Sequence, residues 1–183
     1  PTSQILYANN ISLNSQNIKF KNFNNLIQCN NLVINQSFTN LNELFYGCSS
    51  ITNIDLSNNS LPNCKGILRL CESCTSLISL KLPAFNNKVD IYRMCAGCSK
   101  VEVIEFYPKI MDVSRQYGFA DVNYQVFSNC SRLTTLKNFK VKCTLLDSDR
   151  EKYLLRQKLD GVQYMWSGTD NLRNTEGMGV YNN

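Results

Sequence analysis

The chain has 183 residues, 43% hydrophobic and 18% charged, which fits one folded domain with a sizeable core and excludes a disordered chain. Its net charge of +5 comes from scattered Lys and Arg mixed with Asp and Glu, without the basic runs interleaved with aromatics that would mark a nucleic-acid groove. Histidine is absent, which removes Ser-His and Cys-His nucleophiles and the commonest metal ligand together.

The N-terminal stretch, residues 1–28, reads as a cap. Ile11-Ser-Leu13 and Ile18-Lys-Phe20 alternate apolar and polar residues, the period of half-buried strands, and are expected to form a small sheet closing the first turn. Pro1-Thr2-Ser3-Gln4 has no basic region followed by an apolar block, so no secretory signal is visible there; a signal already removed and an initiator methionine trimmed ahead of Pro1 both fit this start. Asparagine is about one residue in seven. Its abundance suits repeated tight turns, or an A/T-rich genome, or both. Asn10, Asn35, Asn58 and Asn129 each start an N-x-S triplet, which matters only in a eukaryotic secretory pathway.

Residues 29–146 carry an internal repeat. Cys48-Ser-Ser-Ile51-Thr-Asn-Ile54-Asp-Leu56 returns as Cys74-Thr-Ser-Leu77-Ile-Ser-Leu80-Lys-Leu82 and as Cys98-Ser-Lys-Val101-Glu-Val-Ile104-Glu-Phe106. Cys130-Ser-Arg-Leu133-Thr-Thr-Leu136 is a further copy, and Cys29-Asn-Asn-Leu32-Val-Ile34 a looser one upstream. The step from one copy to the next is about two dozen residues, the length of a leucine-rich repeat. Ile51, Ile54, Leu56, Asn59 and Leu61 also fall on L-x-x-L-x-L-x-x-N-x-L. Each copy should supply one short strand with alternate residues in the core. A single turn cannot bury its apolar face alone, so neighbouring turns should stack into a solenoid with a short-stranded parallel sheet. Pro83 and Pro108 follow the strand in two units, where a strand must end.

This Cys-x-x-Leu-x-x-Leu-x-Leu unit, preceded by an aromatic as in Leu44-Phe45-Tyr46-Gly47-Cys48, resembles the BspA-like leucine-rich repeats of surface proteins. The resemblance covers about residues 41–136. It implies a leucine-rich-repeat scaffold and, by family habit, a cell-surface adhesion role; it implies no particular activity.

Two C-x-x-C pairs, Cys71-Glu-Ser-Cys74 and Cys95-Ala-Gly-Cys98, have zinc-ribbon spacing. The repeat alignment favours a different reading. The position three before the repeat cysteine is Phe45 in one unit, Phe127 in another and Trp166 in the last. Cys71 and Cys95 therefore share a slot with large core aromatics and are expected to be packing residues. A metal or disulfides are the alternatives. No metal ligand and no cofactor is assigned.

Two insertions lengthen the later units. Residues 107–125 mix aromatics with charges, including Tyr107, Lys109, Arg115, Tyr117, Phe119, Asp121 and Tyr124. That is the composition of a contact loop, although Tyr117 and Phe119 could instead fold back over the solenoid end. Residues 147–161 read as an inserted helix: Ser148-Asp-Arg-Glu151 is a capping box, Leu155 and Leu159 share a face, and Gly161 is the stop. Residues 162–183 hold a degenerate last repeat, with Thr169 where cysteine stood, and a tail or edge strand around Gly177–Tyr181.

The expected fold is thus a leucine-rich-repeat solenoid with a short-stranded parallel sheet, irregular repeats and one inserted helix. The expected function is a non-catalytic protein-interaction scaffold. The compact length, the start at Pro1 and the many cysteines without a pairing scheme point to a structural or attachment component of an assembly such as a phage virion. A secreted cell-surface adhesion module is the alternative, and no G-x-S-x-G or phosphate-binding glycine loop suggests an enzyme. The partner is expected to be protein, in an assembly or on a host surface, without nucleic acid and without membrane insertion, since no stretch approaches about 20 apolar residues. The contact surface is expected at the outward strand column Asp55, Lys81 and Glu105, with Tyr107, Arg115, Tyr117, Phe119 and Tyr124 beside it.

Overall fold

The computed structural model describes residues 6–86, 89–106, 111–112, 125–137, 140–142 and 179–181. They form a parallel β-solenoid. One sheet runs through six successive coils: β1 (Leu6–Tyr7), β3 (Leu26–Cys29), β5 (Asn53–Asp55), β7 (Ser79–Lys81), β9 (Val103–Glu105) and β11 (Thr135–Lys137), each hydrogen-bonded in parallel to the next. A second side carries shorter parallel pairs, β2 (Ser12–Leu13) with β4 (Val33–Ile34) and β6 (Ser60–Leu61) with β8 (Ala84–Phe85). A three-stranded parallel group joins β10 (Met111–Asp112), β12 (Lys140–Lys142) and β13 (Gly179–Tyr181), with β13 at its edge.

The repeat spacing sets the register. Ile54, Leu80, Ile104 and Leu136 lie side by side across β5, β7, β9 and β11, and all four are buried. Ile51, Leu77, Val101 and Leu133, three residues upstream, form a parallel buried column. No coil has a second layer of its own, so each apolar side chain is covered by its counterparts in the coils before and after.

The third side is a ladder of tight turns. The N–H groups of Leu41, Glu43, Phe45 and Gly47 donate to Gly66, Leu68, Leu70 and Glu72 of the next coil, and Ile67, Arg69, Cys71 and Ser73 repeat the pattern onto Asp90, Tyr92, Met94 and Ala96. The N–H groups between them close turns within the coil, as Leu44 does to Leu41, Tyr46 to Glu43 and Cys48 to Phe45. Such alternation requires left-handed backbone at every fourth residue. Glu43 and Gly47, Arg69 and Ser73, and Arg93 and Gly97 all have positive φ. Among the described residues there is no helix; the inserted helix expected over 147–161 lies outside them, as does Trp166.

Gly47 has φ +71°, and a Cβ added there would collide with Asn22 Oδ1; Gly97 has φ +77° but its nearest neighbour would be 3.7 Å away. Gly47→Ala should therefore cost about 2 kcal/mol or more, against about 1 kcal/mol for Gly97→Ala, which meets only the left-handed backbone penalty. Urea denaturation of the two variants checks the order. Equal losses would show that the Asn22 contact is irrelevant.

Where β4 and β6 fail to pair directly, the Asn59 side chain joins their coils. Its Nδ2 donates to Leu32 O at 2.9 Å and Leu56 O at 3.1 Å, and its Oδ1 accepts the Ile34 N–H at 2.8 Å. Asn59 is buried, and these three bonds are what make a buried carboxamide tolerable.

The N-terminal segment differs from the sheet expected to close the first turn. It is itself the first coil: β1 joins the main sheet, β2 pairs with β4, and Phe20 and Asn22 donate N–H groups to Leu44 and Tyr46 in the turn ladder. Ile18-Lys-Phe20 is consequently not a strand. Its alternation reflects Phe20 turning inward, where it stacks on Phe45 with ring centres 5.4 Å apart and planes at 8°.

Candidate interaction face

The outward side of the main sheet carries two columns. Asn53, Ser79, Val103 and Thr135 are in register along one, and Asp55, Lys81, Glu105 and Lys137 along the other. The three expected contact residues Asp55, Lys81 and Glu105 are thus brought together, and Lys137 extends their column. Lys81 Nζ lies 3.3 Å from Asp55 Oδ2. Burial works to raise the Asp55 pKa, but hydrogen bonds from Ser57 and the Lys81 charge hold it below the usual carboxylate range. Tyr107, Arg115, Tyr117, Phe119 and Tyr124 lie outside the described residues.

Charge also runs along the turn ladder. Lys21 pairs with Glu43 at 2.6 Å, Glu43 with Arg69 at 3.0 Å, Arg69 with Glu72 at 2.7 Å, and Glu72 with Arg93 at 2.6 Å. Arg93 Nη1 then donates to Gln125 Oε1 at 2.7 Å. The Tyr46 ring takes Lys21 on one contact, 4.9 Å from its centroid, and Arg69 on another, at 4.4 Å. Glu72 is buried, and both its oxygens are used. This spine was not read from the sequence. Its signal is that Glu43, Arg69 and Arg93 share one place in the repeat, five residues before Cys48, Cys74 and Cys98. Hydrogen-bonded on both sides, the spine ties coils together and leaves little free charge for a ligand.

The cysteines have two roles. In the slot shared with aromatics, Phe20, Phe45, Cys71, Cys95 and Phe127 follow one another from coil to coil, all buried, and the Cys71 and Cys95 sulfurs are 3.5 Å apart. The repeat cysteines do something the alignment did not suggest. Cys48 Sγ donates to Phe20 O at 2.9 Å, Cys74 to Phe45 O at 3.0 Å, Cys98 to Cys71 O at 3.0 Å and Cys130 to Cys95 O at 3.2 Å. Each acceptor carbonyl belongs to the slot residue of the preceding coil and already takes an N–H within its own turn. The thiol occupies the second lone pair of that carbonyl. A small apolar side chain with one weak donor meets the need; valine or alanine would leave the carbonyl half-satisfied.

Eight cysteines are described, all buried as free thiols. Among the described residues no group of three or more His, Cys, Asp or Glu side chains is arranged to hold a metal ion. Burial pushes the thiols of Cys29, Cys48 and Cys64 up to about 11, from an ordinary value of 9.0. Below pH 9 both folded and unfolded chains keep these protons, so these three thiols impose no pH dependence there. Between 9 and 11 the unfolded chain releases protons that the folded chain retains, so stability falls as pH rises through that window. Thermal melts from pH 7 to about 11 should show a plateau and then a decline. A flat profile across the whole range would contradict thiol burial.

Elsewhere, Gly66 sits between Asn40 and Asp90 in a column of isolated bridges. It opens a shallow groove of about 470 Å³ lined mainly by Thr39, Asn40, Asn42, Lys65 and Asp90. Asn42 Oδ1 and Asn40 Oδ1 there already accept backbone N–H groups. No helix of the described residues is long and apolar enough to cross a membrane. No protein-family model matches the chain, and no curated protein matches it significantly.

Proposed function

We propose that the chain is a non-catalytic protein-interaction scaffold of the leucine-rich-repeat kind, a structural or attachment component of a larger assembly such as a phage virion. The observation that carries the interaction role is the six-stranded sheet, whose outward residues are fixed in register by the packed coils behind it. A rigid array of side chains needs little ordering when a partner docks, which is what a recognition surface requires. The Asn59 bracket supports kinship with leucine-rich repeats, since it falls on the asparagine of that pattern. The thiol ladder supports folding in a reducing interior over secretion, because oxidation would remove the donors that link the coils.

Affinity capture from the native source tests the contact surface. The wild type is compared with Ser79→Arg/Val103→Arg, which places charge on the outer sheet, and with Val33→Arg, at an exposed site on the second side. A partner retained by the wild type and by Val33→Arg, and lost with the double variant, is the expected result. Retention by the double variant would move the contact off this sheet. A particle component as the retained protein would favour the virion reading over surface adhesion.

A further inference from the structure

The charged column on the outer sheet has an order that bears on what it contacts. Asp55, Lys81, Glu105 and Lys137 alternate in sign over four adjacent strands. Asn30, which follows Cys29 beside Ile54 on the neighbouring strand, is uncharged, so among the described residues the column holds an even number of charges. An even, alternating row is self-complementary under one kind of twofold axis. With the axis parallel to the strands and passing between β7 and β9, the outer faces of two copies meet with their solenoid axes reversed. Asp55 then faces Lys137 of the second copy, and Lys81 faces its Glu105. The neighbouring column maps Asn53 onto Thr135 and Ser79 onto Val103, so no like charges meet there either. A twofold axis running along the column would set Asp55 against Asp55 and is disfavoured.

We propose that the outer sheet is a homotypic interface, occupied by a second copy of this chain in that antiparallel arrangement. The inference rests on the reading of this sheet as the contact surface and names its partner. An isologous pair uses one patch twice and closes on itself, which is how most soluble oligomers are built. The patch is small. Three-residue strands at about 3.3 Å per residue and about 4.8 Å per strand make it about 10 by 15 Å over four strands. Such contacts belong to the class of about 1,200 Å² or less, which associates transiently. A weak, concentration-dependent dimer that dissociates with added salt is therefore the expected behaviour.

The simpler explanation is that alternating charges neutralise each other within one chain, as Asp55 and Lys81 do. Two double variants separate the explanations. In Lys81→Glu/Glu105→Lys the order along the column becomes two negatives followed by two positives, which breaks the alternation within the chain. Every charge still meets its opposite across the twofold. In Asp55→Lys/Lys81→Asp the pair within the chain is kept with its signs exchanged. Both contacts across the twofold then become repulsive.

Sedimentation velocity on the purified full chain, as a concentration series at low and high salt, reads the outcome. The wild type and Lys81→Glu/Glu105→Lys should dimerise within a few-fold of each other, and Asp55→Lys/Lys81→Asp at least about tenfold more weakly. Three results would each overturn the pairing: a wild type that stays monomeric throughout, a dimer insensitive to salt, or a dimer undisturbed by Asp55→Lys/Lys81→Asp. Circular dichroism melts confirm that each variant is folded. A monomeric wild type leaves the scaffold reading to the capture experiment, which uses different substitutions and a different partner.

Discussion

Phe45→Ala is expected to destabilise the solenoid by about 3–5 kcal/mol, the cost of a large aromatic lost from a packed core. Phe45 is 0% exposed and stacks flat on Phe20, so the cavity would open between the first two coils. The backbone of the same residue donates to Leu70 O at 2.8 Å and accepts from Cys48 N–H and from the Cys74 thiol. Any shift of that backbone into the cavity disturbs three inter-strand or turn bonds, which limits relaxation and keeps the cost near the top of the range. Urea denaturation with an unchanged slope is the measurement. Phe45→Cys is the informative companion, because Cys71 and Cys95 fill the same slot in the next two coils. Its loss should fall below that of alanine. An alanine variant as stable as the wild type would show that the slot is not continuous core.

The second large effect is expected at Glu72. Its side chain is 6% exposed while the paired Arg69 and Arg93 are 35% and 31% exposed. Glu72→Ala takes one acceptor from each guanidinium, leaving Arg69 on Glu43 and Arg93 on Gln125, and both can also turn toward water. The expected loss is therefore about 2–3 kcal/mol, below the about 3–5 kcal/mol of a fully buried pair broken on one side. A guanidinium stays protonated with or without a carboxylate beside it, so neither arginine can shed its charge to relieve the change. A double-mutant cycle with Arg93→Ala should give a coupling of at least about 1 kcal/mol. A Glu72→Ala loss under about 0.5 kcal/mol, the range of an unremarkable surface change, would make the spine decorative.

The repeat made most of the core legible. Hydrophobic residues at Ile51, Ile54 and Leu56 and their counterparts are read directly from spacing, because a stacked coil buries the same positions each time. The slot shared by Phe45, Cys71, Cys95 and Phe127 was legible for the same reason. Direction was not: alignment shows that Cys48 and Cys74 are equivalent, but only the folded chain shows each thiol aimed at the carbonyl of the preceding coil. The left-handed residues Glu43, Arg69 and Arg93 were hidden because neither glutamate nor arginine advertises that backbone. Glycine and asparagine at Gly47, Gly97 and Asn129 do. The charge spine was hidden by composition, since its members are spread over four coils and look scattered along the chain. The first coil was not legible as a repeat unit because Phe20 and Phe23 stand where later coils carry an aromatic and a cysteine. Phe23 takes the cysteine position and is 46% exposed beside Phe20. Of the contact surface, Asp55, Lys81 and Glu105 follow from strand alternation, while the sign order that includes Lys137 needed the register.

The central claim is that the repeat cysteines are reduced, buried donors between coils. Differential alkylation without reductant tests it most directly: one sample is alkylated while native and another in denaturant, and both are mapped by peptide mass spectrometry. Cys48, Cys74, Cys98 and Cys130 should stay unmodified in the native protein and become fully alkylated on unfolding. Rapid alkylation of these four in the native state would contradict their burial. Failure to alkylate them after unfolding, with disulfide-linked peptides in their place, would contradict the thiol ladder itself.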